Sequence, residues 1–256
     1  MRQTLAGAGP GEGGAPAFGA PLSAFAQGPW TARRGLILTA LPLAALLAFA
    51  GASVPDMPIC AMLAVFTFVV AVANAHLDGF HPADRFGAAN TVTLVRATGA
   101  AFLGGLALTG GPPIGAAYWV AAFSALLLAL DGIDGWLARR ARLASRFGAR
   151  FDMEIDALTA LALCALVWQM EKVGPWVLAI GLMRYAFVAV GAIWPRFAGP
   201  LPPSIARKAV CVLQLATLSL LLLPGLTPPL SGVLAGFALA ALLWSFGRDL
   251  RWLRAR

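Results

Sequence analysis

DGIDGWLARRARLASRFGARFDMEID, residues 131–156, is the stretch on which the reading of this chain turns. Five carboxylates and five arginines fall inside it, although the whole chain holds only eleven Asp and Glu. Asp131 and Asp134 are spaced i, i+3, and Asp152 and Asp156 i, i+4, so on helices each pair shares a face. Two helix ends that present such pairs to each other make an oxygen-rich cage for a hard divalent cation such as Mg²⁺. Unneutralised, four such charges repel, and metal ions or arginine partners are the remedies. A solvated loop whose acids and arginines pair on its surface is the plainer alternative. It gives no reason for Gly135, Ala138 and Gly148 to recur at helical spacing, or for both acid pairs to stand at the ends of apolar runs.

Around this stretch the chain is apolar. Hydrophobic residues make up 60% and charged residues 12%, and mean hydropathy is +0.80, which marks a polytopic membrane protein rather than a soluble domain. The formal net charge of +8 would suit a nucleic-acid binder, but the basic residues sit in short loops between apolar runs, so that class is set aside.

Eight apolar runs read as transmembrane helices: 35–53, 58–75, 91–108, 113–130, 152–168, 175–193, 209–223 and 229–246. Each approaches the ~20 residues that cross a bilayer. Pro113, Pro175 and Pro229 fall near the first turns of their runs, where a missing N–H is harmless. Arg33 and Arg34 precede the first run, and Arg85 separates the second from the third. Arg139, Arg140, Arg142, Arg146 and Arg150 follow the fourth; Arg196, Arg207 and Lys208 the sixth; Arg248, Arg251, Arg254 and Arg256 the eighth. On the other side only Lys172 appears. By the positive-inside rule both termini and the acidic motif face the cytoplasm, in a bacterial inner membrane. Residues 1–30, rich in Gly, Ala and Pro without apolar period, read as a disordered cytoplasmic tail rather than a cleaved signal.

Cys60, Cys164 and Cys211 lie inside apolar runs at no metal-ligand spacing and read as small packing residues, not a disulfide framework. His76 and His81, isolated from the acids in sequence, read as surface residues at a loop. Asn90, Thr93 and Arg96 lie along one face where the third run begins; Asn90 can cap that helix and Arg96 can snorkel to headgroups. Arg184 interrupts an apolar run and needs an anionic partner, either a motif carboxylate or the phosphate of a substrate. With Arg207 and Lys208 it would form a basic pocket; plain positive-inside anchoring accounts equally well for the last two.

Metal ions held by carboxylates can neutralise a diphosphate as its P–O bond breaks, and a nearby carboxylate can take a hydroxyl proton. The residues by themselves lead as far as metal-assisted transfer of a phosphoryl-containing group.

The motif resembles that of the CDP-alcohol phosphotransferases: an aspartate, two residues, Asp-Gly, two residues, Ala-Arg, eight residues, Gly, three residues, Asp, three residues, Asp. Asp131, Asp134-Gly135, Ala138-Arg139, Gly148, Asp152 and Asp156 meet every term, and the broader resemblance runs from about residue 90 to the C-terminus. The resemblance implies an all-α membrane protein with a six-helix catalytic core, here residues 85–256. Residues 31–84 would supply two additional transmembrane helices. It implies a homodimer, and transfer of a phosphatidyl group from CDP-diacylglycerol or a related CDP-alcohol to an alcohol, with release of CMP. Two Mg²⁺ or Mn²⁺ ions would be held by Asp131, Asp134, Asp152 and Asp156, with Asp156 also the general base. Gly135, Ala138 and Gly148 would admit the cytidine and phosphates, Arg139 would meet the donor's charge or orient an aspartate, Ser145 would lie near the donor, and Asn90 and Thr93, with Arg96, would border the nucleotide pocket. Arg184 and Lys208 incline the acceptor towards a phosphorylated alcohol such as glycerol 3-phosphate.

Two other functions compete. An intramembrane prenyltransferase also uses aspartates and Mg²⁺ on a lipid diphosphate, but usually from two well-separated motifs. A transporter or scaffold accommodates an intramembrane arginine, yet no inverted repeat or pair of broken helices is visible.

Overall fold

A computed structural model describes residues 30–80, 86–112, 115–140, 146–194, 197, 199, 201–202 and 204–255, with side chains for all of these but 30, 78–80, 134–140 and 146. The described residues form eight α-helices and no strand: α1 (Trp30–Ala52), α2 (Ile59–Phe80), α3 (Ala88–Leu108), α4 (Ala117–Arg140), α5 (Arg146–Gln169), α6 (Leu178–Ile193), α7 (Ile205–Leu221) and α8 (Leu230–Arg254). Each of the eight expected runs overlaps one of these helices. Pro113 and the tail 1–29 lie outside the described residues, as do His81 and Arg85.

Helix α3 is the axis. It packs most extensively against α5 and α4, while α1 and α2 cover another of its sides, and α7 closes the bundle against α4 and α5. Two thirds of its most apolar window (67%) is buried, against 17% for α2. Outer helices turn bulky apolar side chains away from the protein, among them Leu38, Phe49, Phe68, Trp119, Val233 and Phe237. Such a belt fits lipid, where an apolar surface needs no cover.

Among the described residues five helices are long and apolar enough to cross a membrane: α1, α2, α3, α6 with the 3₁₀ turn Pro175–Val177 before it, and α8. Helices α4, α5 and α7 fall short of that standard, although eight spans were expected. The first two give one end to the acidic motif, and α7 is 17 residues long and opens with Arg207 and Lys208. They are the helices that enclose the polar site. Leu163, Leu166 and Val167 of α5 are buried by neighbouring helices rather than lipid.

Small residues set the helix spacing. A Cβ on Gly181 of α6 would lie 2.6 Å from the Cα of Leu161 in α5, so those two backbones touch where only glycine fits. At the end of α5 remote from the motif, Glu171 takes a positive φ of 55° and the chain turns back, the Lys172 N–H donating to the Val167 carbonyl at 3.1 Å. The Lys172 ammonium then donates to the carbonyls of Leu223, Pro224 and Leu226, at 3.1, 3.0 and 2.9 Å. Ser231 Oγ donates to the Lys172 carbonyl at 2.5 Å. The one basic residue that stood against the charge asymmetry is therefore buried and bound to backbone, joining the end of α5 to the α7–α8 connection.

Candidate metal centre

Gly87, with φ of 82°, is the N-cap of α3, a backbone conformation that glycine adopts without strain. Asn90 is therefore not the cap. From the first turn its Nδ2 donates to the Phe86 carbonyl at 2.5 Å, and Thr93 Oγ1 donates to the Ala89 carbonyl at 3.1 Å. Both side chains are buried and steady the start of α3. Arg96, one turn beyond Thr93, is the only charged residue of this helix and is 1% exposed.

Arg96 does not snorkel. Its Nη1 lies 2.9 Å from an oxygen of Asp131 on α4 and 2.5 Å from one of Asp152 on α5, and its Nη2 pairs with Asp156. The i, i+4 spacing of Asp152 and Asp156 puts both on the face of α5 that meets α3. Asp131, Asp152 and Asp156 each offer an oxygen, and these lie within 4.8 Å of one another. Cys211 Sγ on α7 donates to the second Asp156 oxygen at 3.7 Å, so Asp156 is held on both sides. Four helices thus meet at one polar point inside an apolar bundle.

Among the described contacts three carboxylates gather on one guanidinium, in surroundings that disfavour charge. Carboxylate oxygens converging from two helices are the donor set that Mg²⁺ or Mn²⁺ takes, and the residues present fit such an ion. Asp131, Asp152 and Asp156 would hold it.

The other expected site residues separate into groups. Asp134, Gly135, Ala138 and Arg139 continue α4 beyond Asp131, with side chains outside those described; Ser145 lies outside the described residues. Gly148 is in the first turn of α5, one turn before Asp152. Arg184 pairs with Glu154 of the motif stretch at 2.5 Å, in a partly exposed bridge. Arg207 pairs with Asp249 of α8 at 3.0 Å and donates to the Pro202 carbonyl at 2.9 Å; Lys208 is exposed beside it. Ser204 caps α7 and accepts from Arg248 at 2.7 Å. Arg184 and Arg207 thus each have a carboxylate partner, and neither joins the acids around Arg96 among the described contacts.

Two participants escaped the sequence reading. Arg96 as the acids' counter-ion was signalled by its isolation: one charge in a 21-residue apolar helix, in a chain with an unbalanced acid cluster. Cys211 carried no signal beyond its place near the start of α7. Of the other cysteines, Cys164 is buried as expected, whereas Cys60 is exposed on α2.

A model of the CDP-alcohol phosphatidyltransferase family matches residues 86–244, well over half of the chain. No curated protein and no solved structure matches it.

Proposed function

We infer the reaction from one premise: this chain belongs to the CDP-alcohol phosphatidyltransferase family, and so is an integral membrane protein and a transferase of phosphate-containing groups. The reading we favour is transfer of the phosphatidyl group of CDP-diacylglycerol, or the corresponding group of a related CDP-alcohol, to the hydroxyl of a small alcohol. The observation that carries it is the convergence of Asp131, Asp152 and Asp156 within 4.8 Å at the meeting of α3, α4 and α5.

In this reading Asp131, Asp134, Asp152 and Asp156 hold divalent metal. Bound there, Mg²⁺ or Mn²⁺ supplies charge stabilisation to the diphosphate and its departing oxygen. Asp156 accepts the proton of the acceptor hydroxyl. The hydroxyl oxygen bonds to the phosphorus of the transferred group, and the P–O bond to the CMP portion breaks, CMP leaving with the bridging oxygen. Cys211, at 3.7 Å from one Asp156 oxygen, orients the base rather than reacting. Gly135, Ala138 and Gly148 leave room for cytidine and phosphates. Arg139 and Ser145 border the donor, with Asn90 and Thr93 shaping that wall through the start of α3.

Arg184, Arg207 and Lys208 form the acceptor side, and a phosphorylated alcohol such as glycerol 3-phosphate is the acceptor their charge favours. An incoming phosphate would draw Arg184 from Glu154, an exchange eased by the partial exposure of that pair. We assign residues 85–256 to the catalytic core, 31–84 to two added helices and 1–30 to a tail, in a homodimer with the acid end and both termini in the cytoplasm. The test is purified protein with labelled CDP-diacylglycerol, Mg²⁺ or Mn²⁺, and a panel of alcohols. Metal-dependent CMP release with one lipid product per accepted alcohol is expected; isoprenoid transfer with pyrophosphate release instead would overturn the assignment.

A further inference from the structure

Arg96 and a divalent ion claim the same oxygens. We propose that its guanidinium is a resident substitute for metal: it closes the acid cage while no metal is bound and yields the carboxylates when metal enters. The inference rests on the reading of Asp131, Asp152 and Asp156 as metal ligands.

Geometry supports competition. One guanidinium reaches all three carboxylates, with Nη1 shared between Asp131 and Asp152 and Nη2 on Asp156. Oxygens about 2.1 Å from an octahedral Mg²⁺ stand roughly 3–4 Å apart, so the 4.8 Å cage is only slightly wider than a metal would draw it. A metal ion among these oxygens would face a cationic nitrogen at close range, which repulsion opposes. Charge supports it too: a compact doubly charged ion attracts converging carboxylates more strongly than a delocalised single charge does.

The displaced side chain has polar neighbours to turn to. Arg96 is closely packed against Ser124 of α4, Thr159 of α5 and Ser219 of α7, with no open cavity between them, so a move towards these hydroxyls requires the side chains there to give way. Ser124 and Thr159 donate to carbonyls of their own helices, at 2.8 and 2.7 Å, leaving their oxygens able to accept. The Ser219 hydroxyl is 94% buried by its residue's exposure of 6% and has no hydrogen-bond partner. A buried hydroxyl without a partner is costly, and a guanidinium N–H arriving from the cage would supply one. Arg96 would thus alternate between carboxylates and hydroxyls without entering lipid.

The experiment is Mn²⁺ titration of the purified full-length protein, read by the electron paramagnetic resonance of free Mn²⁺, with melting followed in EDTA and in Mn²⁺. Arg96→Gln is expected to bind Mn²⁺ about tenfold or more tightly than wild type, having lost its internal competitor. It is also expected to melt roughly 5 °C or more below wild type in EDTA and to recover in Mn²⁺. Should Arg96→Gln not fold, Arg96→Lys, whose single ammonium cannot bridge three carboxylates in that way, reads the same competition through tighter binding. Ser219→Ala, outside the reactive centre, is expected to weaken Mn²⁺ binding by removing the alternative acceptor. Unchanged or weaker binding in the Arg96 variants, with wild type binding normally, overturns the competition alone and leaves Arg96 a fixed support. Absence of Mn²⁺ binding in wild type and every variant overturns the metal reading beneath it.

Discussion

Helix α5 lies between two buried cations of opposite character. Near its start Arg96, from α3, faces three carboxylates; beyond its end Lys172 faces three backbone carbonyls. Lys172 has three donors and spends all three on neutral carbonyls of the α7–α8 connection, so its contacts are complete. Around Arg96 the partners are themselves charged, and the three converging carboxylates are what a metal ion can use. A buried charge does not by itself mark a reactive site. The sign and sum of its partners distinguish a support from a centre of chemistry.

The sharpest way to break this contrast is at the acid end. Asp156→Asn should lower turnover by roughly 10³-fold, as expected for loss of a general base and metal ligand, with the helical spectrum retained. Retention of turnover within a few-fold would remove Asp156 from the chemistry. At the other end Lys172→Met should lower stability by about 2–3 kcal/mol through the lost charged hydrogen bonds, while turnover per folded molecule stays at the wild-type level. A variant with normal melting and impaired turnover would reverse the roles of the two ends.

Between the ends, Gly181→Ala tests whether α5 is held by backbone contact. The Cβ would meet the Leu161 Cα at 2.6 Å, and overpacking of this kind costs about 2 kcal/mol, to be read from melting. Arg184→Gln should raise the acceptor's apparent KM about tenfold and leave the donor's nearly unchanged, the size expected for loss of one charged hydrogen bond. Equal changes in both would place Arg184 with the structural pairs. The smallest effect belongs to Cys211→Ser, which keeps a donor near Asp156 and should change turnover by less than about fivefold. A larger loss would mean that the sulfur itself matters.

Much of this was legible beforehand because lipid imposes long apolar runs and because metal ligands on helices recur at i, i+3 and i, i+4. Helix ends were less so. The run expected at 113–130 is the helix Ala117–Arg140, and that expected at 152–168 is Arg146–Gln169. Hydropathy stops where charges begin, but the backbone ladder continues through Asp131 and Asp152 without regard to side-chain polarity. At the other boundary Gly110, Gly111 and Gly115, all at positive φ, delay the start of α4. The partners of Arg96 were not legible because they lie 35 to 60 residues away on α4 and α5. Periodicity reports the face of a helix, not the neighbour that face will meet. Lys172 looked like a loop charge for the same reason.

Anomalous diffraction from crystals grown with Mn²⁺ bears on the metal centre most directly. A Mn²⁺ peak bounded by the side chains of Asp131, Asp152 and Asp156 is what this account requires; a saturating Mn²⁺ concentration that leaves no peak there, with those three carboxylates still gathered on Arg96, would contradict it.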